Sequence, residues 1–151
     1  MAVRTLVDEV LMAAGPVAQR KGVRLEQTAA DQPLGADADA DKLKQILINL
    51  VDNAVKFSLP GTCVRVSARA GAAGVTIAVE DEGPGIAPED LPHVFERFWR
   101  GQAADGVPGS GLGLAIAKNL ARLHGGDLGV QPRQGCGTTF TLTLPAAGAA
   151  P

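Results

Sequence analysis

The chain has 151 residues, of which 46% are hydrophobic and 20% are charged, and its formal net charge is −2. This length and composition predict one globular domain, 1–151, and exclude a disordered chain. The small net charge excludes a basic surface for nucleic acid, and no apolar run is long enough to span a membrane or resembles a signal peptide. Cys63 and Cys136 lack the spacing of a metal site, so we expect buried thiols in a reducing compartment, with a disulfide as the alternative.

The first elements are predicted by their periodicity. Apolar residues at helical spacing predict a helix over 3–19, and Pro16 and Gly22 indicate that it ends nearby. Alternation of apolar and polar residues predicts a strand over 23–28. Residues 30–40 have the composition of a loop.

The next stretch, 41–58, predicts a helix with an unusual polar face. At 100° per residue, one arc of about 100° collects five polar side chains. These are Gln45, Asn49, Asp52, Asn53 and Lys56. Asparagine is a poor helix former, because its side chain competes for backbone hydrogen bonds. Two asparagines on one stripe therefore indicate either the wall of a polar pocket or a solvated face.

A predicted hairpin, 62–70 with 75–79, leads directly into the glycine turn 81–85. The ionised side chain of Asp81 only accepts hydrogen bonds, so it suits an exocyclic amine such as that of adenine. Glycines let the backbone approach a flat ring closely. The pattern Asp-x-Gly-x-Gly also describes ordinary turns, so the motif alone leaves both interpretations open.

Two short helical turns are predicted next, at 88–91 and 93–99. The second contains Phe95, Phe98 and Trp99, which we interpret as a hydrophobic anchor. The segment after it, Gly101 to Pro108, has the small, polar composition of a mobile lid.

A glycine-rich stretch, Gly109 to Leu114, then opens a predicted helix that continues to about His124. The N-terminus of such a helix favours anions, and the glycine spacing matches neither a Walker loop nor a dinucleotide fingerprint. Gly125 and Gly126 predict its C-terminal cap. A final strand pair, 127–131 and 138–144, precedes a frayed tail over 145–151.

Taken together, these pieces suit the parts of a nucleotide. Asp81 suits the base, and the amide oxygen of Asn53 suits Mg²⁺, which takes hard oxygen ligands that it shares with phosphates and water. Lys56 and the helix start near Gly111 suit the phosphates.

Five stretches resemble, in family order, the motifs of the catalytic and ATP-binding domain of bacterial sensor histidine kinases. The resemblance covers about Val3 to Leu144. The motifs are an N box at 49–58, a first glycine box at 81–86, an F box at 95–100, and second and third glycine boxes at 109–115 and 135–140.

The resemblance implies an α/β two-layer sandwich of the Bergerat type, with a mixed, mostly antiparallel sheet under three longer helices and a mobile ATP lid. It implies that Asp81 recognises adenine beside Thr138, and that Asn53 holds Mg²⁺. Asn49, Lys56 and either Arg97 or Arg100 would address the phosphates. The remaining implied contacts to ATP come from Gly83, Gly85, Ile86, Gly109, Ser110, Gly111, Leu112 and Gly113.

The family also carries a phospho-acceptor histidine on a preceding dimerisation domain, which this sequence lacks. Neither His93 nor His124 has that context. We therefore expect a monomeric, cytoplasmic fragment in which 1–20 follows the absent histidine domain, and in which the parent protein can be membrane-anchored. It would not phosphorylate itself; its partners would be that domain and, indirectly, the receiver domain of a response regulator.

Three alternatives come from related classes. ATPases of the topoisomerase, chaperone or mismatch-repair type carry a water-activating glutamate at the position of Asn49, and an amide cannot serve as that base. A nucleotide-binding module without activity is disfavoured because each motif is complete. A serine kinase acting on an anti-sigma partner fits the F box less well.

Overall fold

A computed structural model of the chain describes residues 3–29, 39–71, 74–97, 112–132 and 137–145. Within these residues the helices are α1 (Val3–Lys21), α2 (Ala40–Phe57) and α3 (Gly113–Leu123), with a 3₁₀ turn at Leu91–His93. The strands are β1 (Arg24–Ala29), β2 (Cys63–Gly71), β3 (Gly74–Asp81), β4 (Asp127–Pro132) and β5 (Thr138–Pro145). None of the described helices is long and apolar enough to cross a membrane.

The five strands form one sheet in the order β1-β2-β3-β5-β4. β1 pairs with β2 in parallel, and the other three pairs are antiparallel. Alternate residues of each strand face the helices, as the period of two requires, and they meet the buried sides of α1, α2 and α3 in one aliphatic core. The predicted two-layer sandwich, with a mixed and mostly antiparallel sheet and three longer helices, is confirmed.

The central helix α2 buries the face that the sequence predicts. Leu43, Ile46, Leu47 and Leu50 are at most 1% exposed, whereas the polar arc stays half-buried or exposed. Asp39 caps its N-terminus, because its carboxylate accepts hydrogen bonds from the backbone N–H groups of Asp41 and Lys42 at 3.1 and 3.2 Å. The helix therefore presents Asn49, Asn53 and Lys56 along one edge of the sandwich.

Two local predictions differ from the structure. Helix α1 continues through Pro16 to Lys21, because Ala18 is buried and Lys21 donates to the carbonyl oxygens of Val55 and Lys56 at the end of α2. The helical turn predicted over 93–99 is limited, in its described part, to one hydrogen-bonded turn, in which the backbone N–H of Glu96 donates to the carbonyl oxygen of His93 at 3.0 Å.

Candidate functional site

The buried carboxylate of Asp81 lies where strand β3 ends. Asp81 is 4% exposed, and its Oδ1 accepts a hydrogen bond of 2.9 Å from the backbone N–H of Gly83. On the neighbouring strand, Thr138 stands opposite Asp81 in the register and is 3% exposed. The predicted closeness of Asp81 and Thr138 is confirmed. Burial of a charged carboxylate is unfavourable unless polar groups surround it. This end of the sheet therefore provides a polar environment inside an otherwise aliphatic core.

Glycines bring the surrounding backbone to this carboxylate. A Cβ atom on Gly83 would overlap the carbonyl oxygen of Phe57 at the end of α2, and a Cβ on Gly137 would overlap that of Asp81. Gly85, with φ of 82°, lies against Gly137, whose carbonyl oxygen would be 3.3 Å from an added Cβ. The first and third glycine boxes therefore pack backbone to backbone, and any side chain at Gly83 or Gly137 would separate the elements that form the site.

Helix α2 contributes amide and ammonium groups to the same end of the molecule. Asn49 and Asn53 are half-buried on its polar edge, and the Nδ2 group of Asn49 is buried with no hydrogen-bond partner among the described residues. A buried donor without an acceptor costs about 1–3 kcal/mol, so Asn49 is suited to an acceptor that binds there. Lys56, one turn beyond Asn53, pairs with Asp52 at 3.0 Å.

The start of helix α3 lies against Asn49. A Cβ on Gly113 would be 3.8 Å from Cγ of Asn49, an ordinary contact distance. The cap residue, Leu112, makes no side-chain hydrogen bond to the first turn. The backbone N–H groups of that turn and the positive end of the helix dipole therefore lie close to the side chain of Asn49. A helix N-terminus beside a carboxamide with an unpartnered donor among the described residues favours an anion.

The opposite end of α3 is closed by a Schellman motif. The backbone N–H of Gly125, at φ of 78°, donates to the carbonyl oxygen of Arg122, and that of Gly126 donates to Ala121. This arrangement confirms the predicted glycine cap. It also fixes the length of the helix whose N-terminus forms part of the site.

Lys118 on α3 is a residue that the sequence prediction missed. Its Nζ atom donates to the carbonyl oxygen of Leu128 at 2.6 Å, pairs with Oδ1 of Asp127 at 2.8 Å and lies 4.8 Å from the centroid of the Phe95 ring. The Lys118 ammonium, through its hydrogen bond, is the main reason why the pKa of Asp127 is lowered. The signal in the sequence was a lysine next to the buried stripe of Ala117 and Ala121.

The other predicted site residues divide into two groups. Ile86 packs against the core and Arg97 is exposed at the end of its described segment. Phe95, the first F-box residue, packs edge-on against Phe140, with ring centroids 6.1 Å apart, which confirms its part in the predicted anchor. The remainder lie outside the described residues: Phe98, Trp99, Arg100, the predicted lid at 101–108, Gly109, Ser110, Gly111 and Cys136.

The two histidines and the described cysteine have structural partners of their own. Nδ1 of His93 pairs with Glu96 at 3.0 Å, and Nδ1 of His124 lies 2.9 Å from the carbonyl oxygen of Leu120. Cys63 is a free, buried thiol, and burial raises its pKa. Helix α3 spans about 16 Å, so His124 is far from the end of the helix that meets Asn49.

Comparison with known proteins decides the family. Residues 38–148 match the family described as histidine kinase-, DNA gyrase B- and HSP90-like ATPases. The chain belongs to this family. The sensor-like histidine kinase SenX3 of Mycobacterium tuberculosis is 43% identical over 146 residues, which is 95% of this chain and 35% of that protein. The ATP-binding domain described here therefore spans about a third of the length of this curated relative.

Solved structures place the domain among the histidine kinase catalytic domains. The mycobacterial sensor histidine kinase MprB has a TM-score of 0.85 and 33% identity, with 97% of both chains covered. Full-length ShkA in complex with AMPPNP has a TM-score of 0.82 and 35% identity, and it covers 99% of this chain and 31% of its own. The fold and sequence together show a histidine kinase catalytic domain, as the resemblance implies.

The described residues of this histidine kinase domain would offer few protein ligands to a metal ion. Among the described residues, no cluster of three or more His, Cys, Asp or Glu side chains could hold a metal ion. Mg²⁺ does not require such a cluster, since it retains waters and shares oxygen ligands with bound phosphates. The carboxamides of Asn49 and Asn53, one turn apart on the polar edge of α2, offer oxygen ligands that would fit a cation bound together with a nucleotide.

Proposed function

We propose that this domain binds Mg²⁺-ATP and donates its γ-phosphoryl group to a histidine on a separate dimerisation domain. The observation that carries the proposal is a single arrangement of the described residues. A buried carboxylate, Asp81, lies at one side of the site. At the other side, Asn49, whose amide donor has no partner among the described residues, lies against the first residue of α3. The first suits an amino group of a base and the second suits phosphate.

The proposed role of Asp81 is to accept a hydrogen bond from the exocyclic amine of adenine. Its Oδ1 accepts the backbone N–H of Gly83, which holds the carboxylate in the turn, and an ionised carboxylate can accept further hydrogen bonds from a base. Thr138 lies opposite on β5 and supplies a hydroxyl at the same level of the sheet. Gly83, Gly85 and Ile86 would line the base from the adjoining turn.

The proposed phosphate contacts come from α2, from α3 and from the arginines of the F box. Asn49, Lys56, Leu112 and Gly113 are the described members of this set. Lys56 would exchange its partner Asp52 for phosphate, which carries more charge. Arg97 or Arg100, with Gly109, Ser110 and Gly111, completes the proposed set, and the last four of these lie outside the described residues.

Asn53 is the proposed protein ligand of Mg²⁺, through its amide oxygen. When bound, the cation would neutralise charge on the β- and γ-phosphates. The residues of this chain would hold the triphosphate in line with the acceptor. A nitrogen lone pair of the acceptor imidazole forms a bond to the γ-phosphorus, the bond from phosphorus to the β–γ bridging oxygen breaks, and ADP leaves.

The histidine acceptor and the response regulator are proposed partners, which lie outside this chain. As in the resemblance to sensor kinases, we expect a histidine-bearing dimerisation domain before α1, and a response regulator as the final recipient. Residue 49 supports transfer to a protein rather than to water, because an asparagine amide cannot deprotonate water at neutral pH. The three-helix sandwich would then act as a domain that delivers ATP to a separate acceptor.

Titration calorimetry with Asn53→Ala tests the proposed metal role. We expect the variant to lose the Mg²⁺-dependent part of ATP binding and to keep its affinity for adenosine within about twofold, since the base contacts lie on β3 and β5. Gln45→Ala is the matched control, because Gln45 is an exposed carboxamide on the same helix. If Mg²⁺ strengthens ATP binding to Asn53→Ala as much as to the unmodified chain, another residue holds the metal.

A further inference from the structure

Lys118 joins three parts of the domain through one ammonium group. The side chain is 19% exposed, so little of its charge is solvated, and its Nζ atom contacts the Leu128 carbonyl and the Asp127 carboxylate on β4. The same atom lies over the Phe95 ring, in cation–π geometry. Fixing a long side chain in one conformation costs conformational entropy, so an exposed surface lysine usually stays mobile. The three contacts of Lys118 offset this cost.

Phe95 is held from both sides. Lys118 contacts the face of its ring, while Phe140 on β5 packs against it edge-on at an interplanar angle of 78°. Phe140 is two residues from Thr138 and faces the same side of the sheet, so Phe95 lies next to the polar end of β3 and β5. Phe95 thereby connects the F-box segment both to the sheet, through Phe140, and to α3, through Lys118.

The two segments that Lys118 connects carry the proposed phosphate contacts. Arg97 follows Phe95 by two residues, and Gly113, which lies against Asn49, precedes Lys118 by five residues on the same helix. The proposed adenine contacts are held differently. Asp81, Gly83 and Thr138 are fixed by strand pairing and by backbone contacts at the glycines, none of which involves Lys118.

We propose that Lys118 is a positioning residue for the phosphate end of the nucleotide site. It sets the F-box segment relative to the N-terminus of α3, and it does not touch the nucleotide. This inference rests on the proposed function, because it concerns a residue that would hold the proposed phosphate-binding residues in place. A purely structural tie would change the affinity for every ligand together, whereas a positioning residue changes the affinity for the phosphates selectively.

The test is the ratio of ATP affinity to adenosine affinity in Lys118→Met, measured by calorimetry on the 151-residue chain. Methionine keeps an unbranched apolar stem and removes the charge. We expect the ATP affinity to fall roughly fivefold or more while the adenosine affinity stays within about twofold. Lys118→Arg keeps a cation above the ring, so its ATP affinity should stay within about threefold of the original.

Arg122→Met is the matched control. Arg122 is on the same helix and is 3.6 Å from the same Asp127 oxygen, but its side chain is 65% exposed. We expect its removal to leave both affinities unchanged. Circular dichroism and the thermal midpoint, recorded on each variant, separate loss of folding from loss of binding.

Each outcome decides between the alternatives. Equal losses for ATP and adenosine, no loss in Lys118→Met, or an equal loss in Lys118→Arg would overturn the positioning role. If Lys118→Met does not fold, Phe95→Leu provides the same test, because it keeps an apolar side chain and removes the aromatic ring that Lys118 contacts. An unchanged ratio of ATP affinity to adenosine affinity in that variant would then overturn the proposal. An unmodified chain that binds no ATP would instead refute the proposed function itself.

Discussion

At the scale of single residues, the carboxylate of Asp81 is the most demanding feature of the site. It is 4% exposed, and its Oδ1 accepts a hydrogen bond from the backbone N–H of Gly83 two residues later. A buried carboxylate accepts several hydrogen bonds, so one oxygen can hold the turn while the other contacts a ligand. A carboxylate has two accepting oxygens, whereas an amide has one, so an acidic residue suits the end of β3 better than an amide does.

Replacing Asp81 with Asn tests that role. The asparagine oxygen can still accept from Gly83, but the charged acceptor for the base is lost. A hydrogen bond to a charged group is worth about 1.5–3 kcal/mol, so the affinity for ATP should fall roughly tenfold or more. Calorimetry with ATP and GTP measures the effect, and the preference for ATP over GTP should shrink in the variant.

Glu80→Gln is the control for this substitution, since Glu80 is the adjacent acidic residue and points to the other side of β3. We expect it to bind ATP as the unmodified chain does. Equal affinity of the unmodified chain for ATP and GTP would contradict the assignment of Asp81 to adenine.

At the scale of elements, the glycine boxes act through packing as much as through ligand contact. Gly137 has φ of 113°, and a Cβ there would overlap the carbonyl oxygen of Asp81. We expect Gly137→Ala to lower the free energy of unfolding by roughly 1–3 kcal/mol, through backbone strain and a forced separation of β3 and β5. Urea denaturation measures the change.

Gly129 offers the contrast within the same sheet. It lies on β4 with nothing within 4 Å of an added Cβ, so Gly129→Ala should leave the free energy of unfolding equal or raise it by up to about 1 kcal/mol. Similar losses in both alanine variants would show that the effect at Gly137 is a general cost of replacing glycine in these strands.

The contact between α3 and β4 adds a pH dependence. The Lys118 ammonium, with the backbone N–H of Leu128, lowers the pKa of Asp127 in the folded chain. The carboxylate therefore contributes its full stabilisation above its ordinary pKa of about 4, and this stabilisation is lost as the pH falls through the lower folded pKa. Asp127→Asn should be less stable than the unmodified chain at pH 7, and the difference should narrow in acid.

Thermal melts of both chains from pH 7 down to the acid transition test this expectation. Asp127→Ala serves as a second variant without a polar side chain. Its difference in stability from the unmodified chain should also become smaller as the pH falls. A stability difference that stays constant across the acid range would mean that the charge of Asp127 does not contribute.

The sequence predicted elements well where periodicity or glycine chemistry controls the local structure. Helix α2 and the β2–β3 hairpin were predicted within two residues at each end, and the Gly125 cap follows from the conformational freedom of glycine. The last two residues of α1, beyond the predicted end at Gln19, could not be predicted, because the carbonyl oxygen that Lys21 contacts at the end of α2 is 34 residues away in sequence. The role of Lys118 was missed for the same reason, since its partners lie on separate segments.

At the scale of the whole molecule, the sandwich collects the predicted residues from four separate elements at one edge. Phe57 at the end of α2 lies against Gly83, just after β3, and Gly137 lies against Asp81. The start of α3, at Gly113, lies against Asn49 in the middle of α2. The order of these motifs along the sequence was sufficient to predict the fold, because the family arranges them on one topology. The phosphate contacts of Lys56 and of the helix start near Gly111 were predicted from the residues, and those of Asn49 and the F-box arginines from the resemblance.

The isolated chain should bind ATP without consuming it. Neither of its histidines is placed as an acceptor, since His93 pairs with Glu96 and His124 lies at the far end of α3. Without an in-line nucleophile the γ-phosphoryl group has no efficient route of transfer. Release of inorganic phosphate should therefore be close to the uncatalysed background.

Transfer of label from γ-labelled ATP tests the central claim most directly. The chain is incubated with Mg²⁺-ATP, alone and together with the histidine-bearing dimerisation domain of the same kinase, joined to it or supplied separately. We predict no label and no hydrolysis by the chain alone, and an acid-labile, base-stable label on the added domain that Asn53→Ala abolishes. Rapid hydrolysis by the chain alone, lost on Asn49→Ala, with no label on the added domain, would contradict the account and indicate an ATPase.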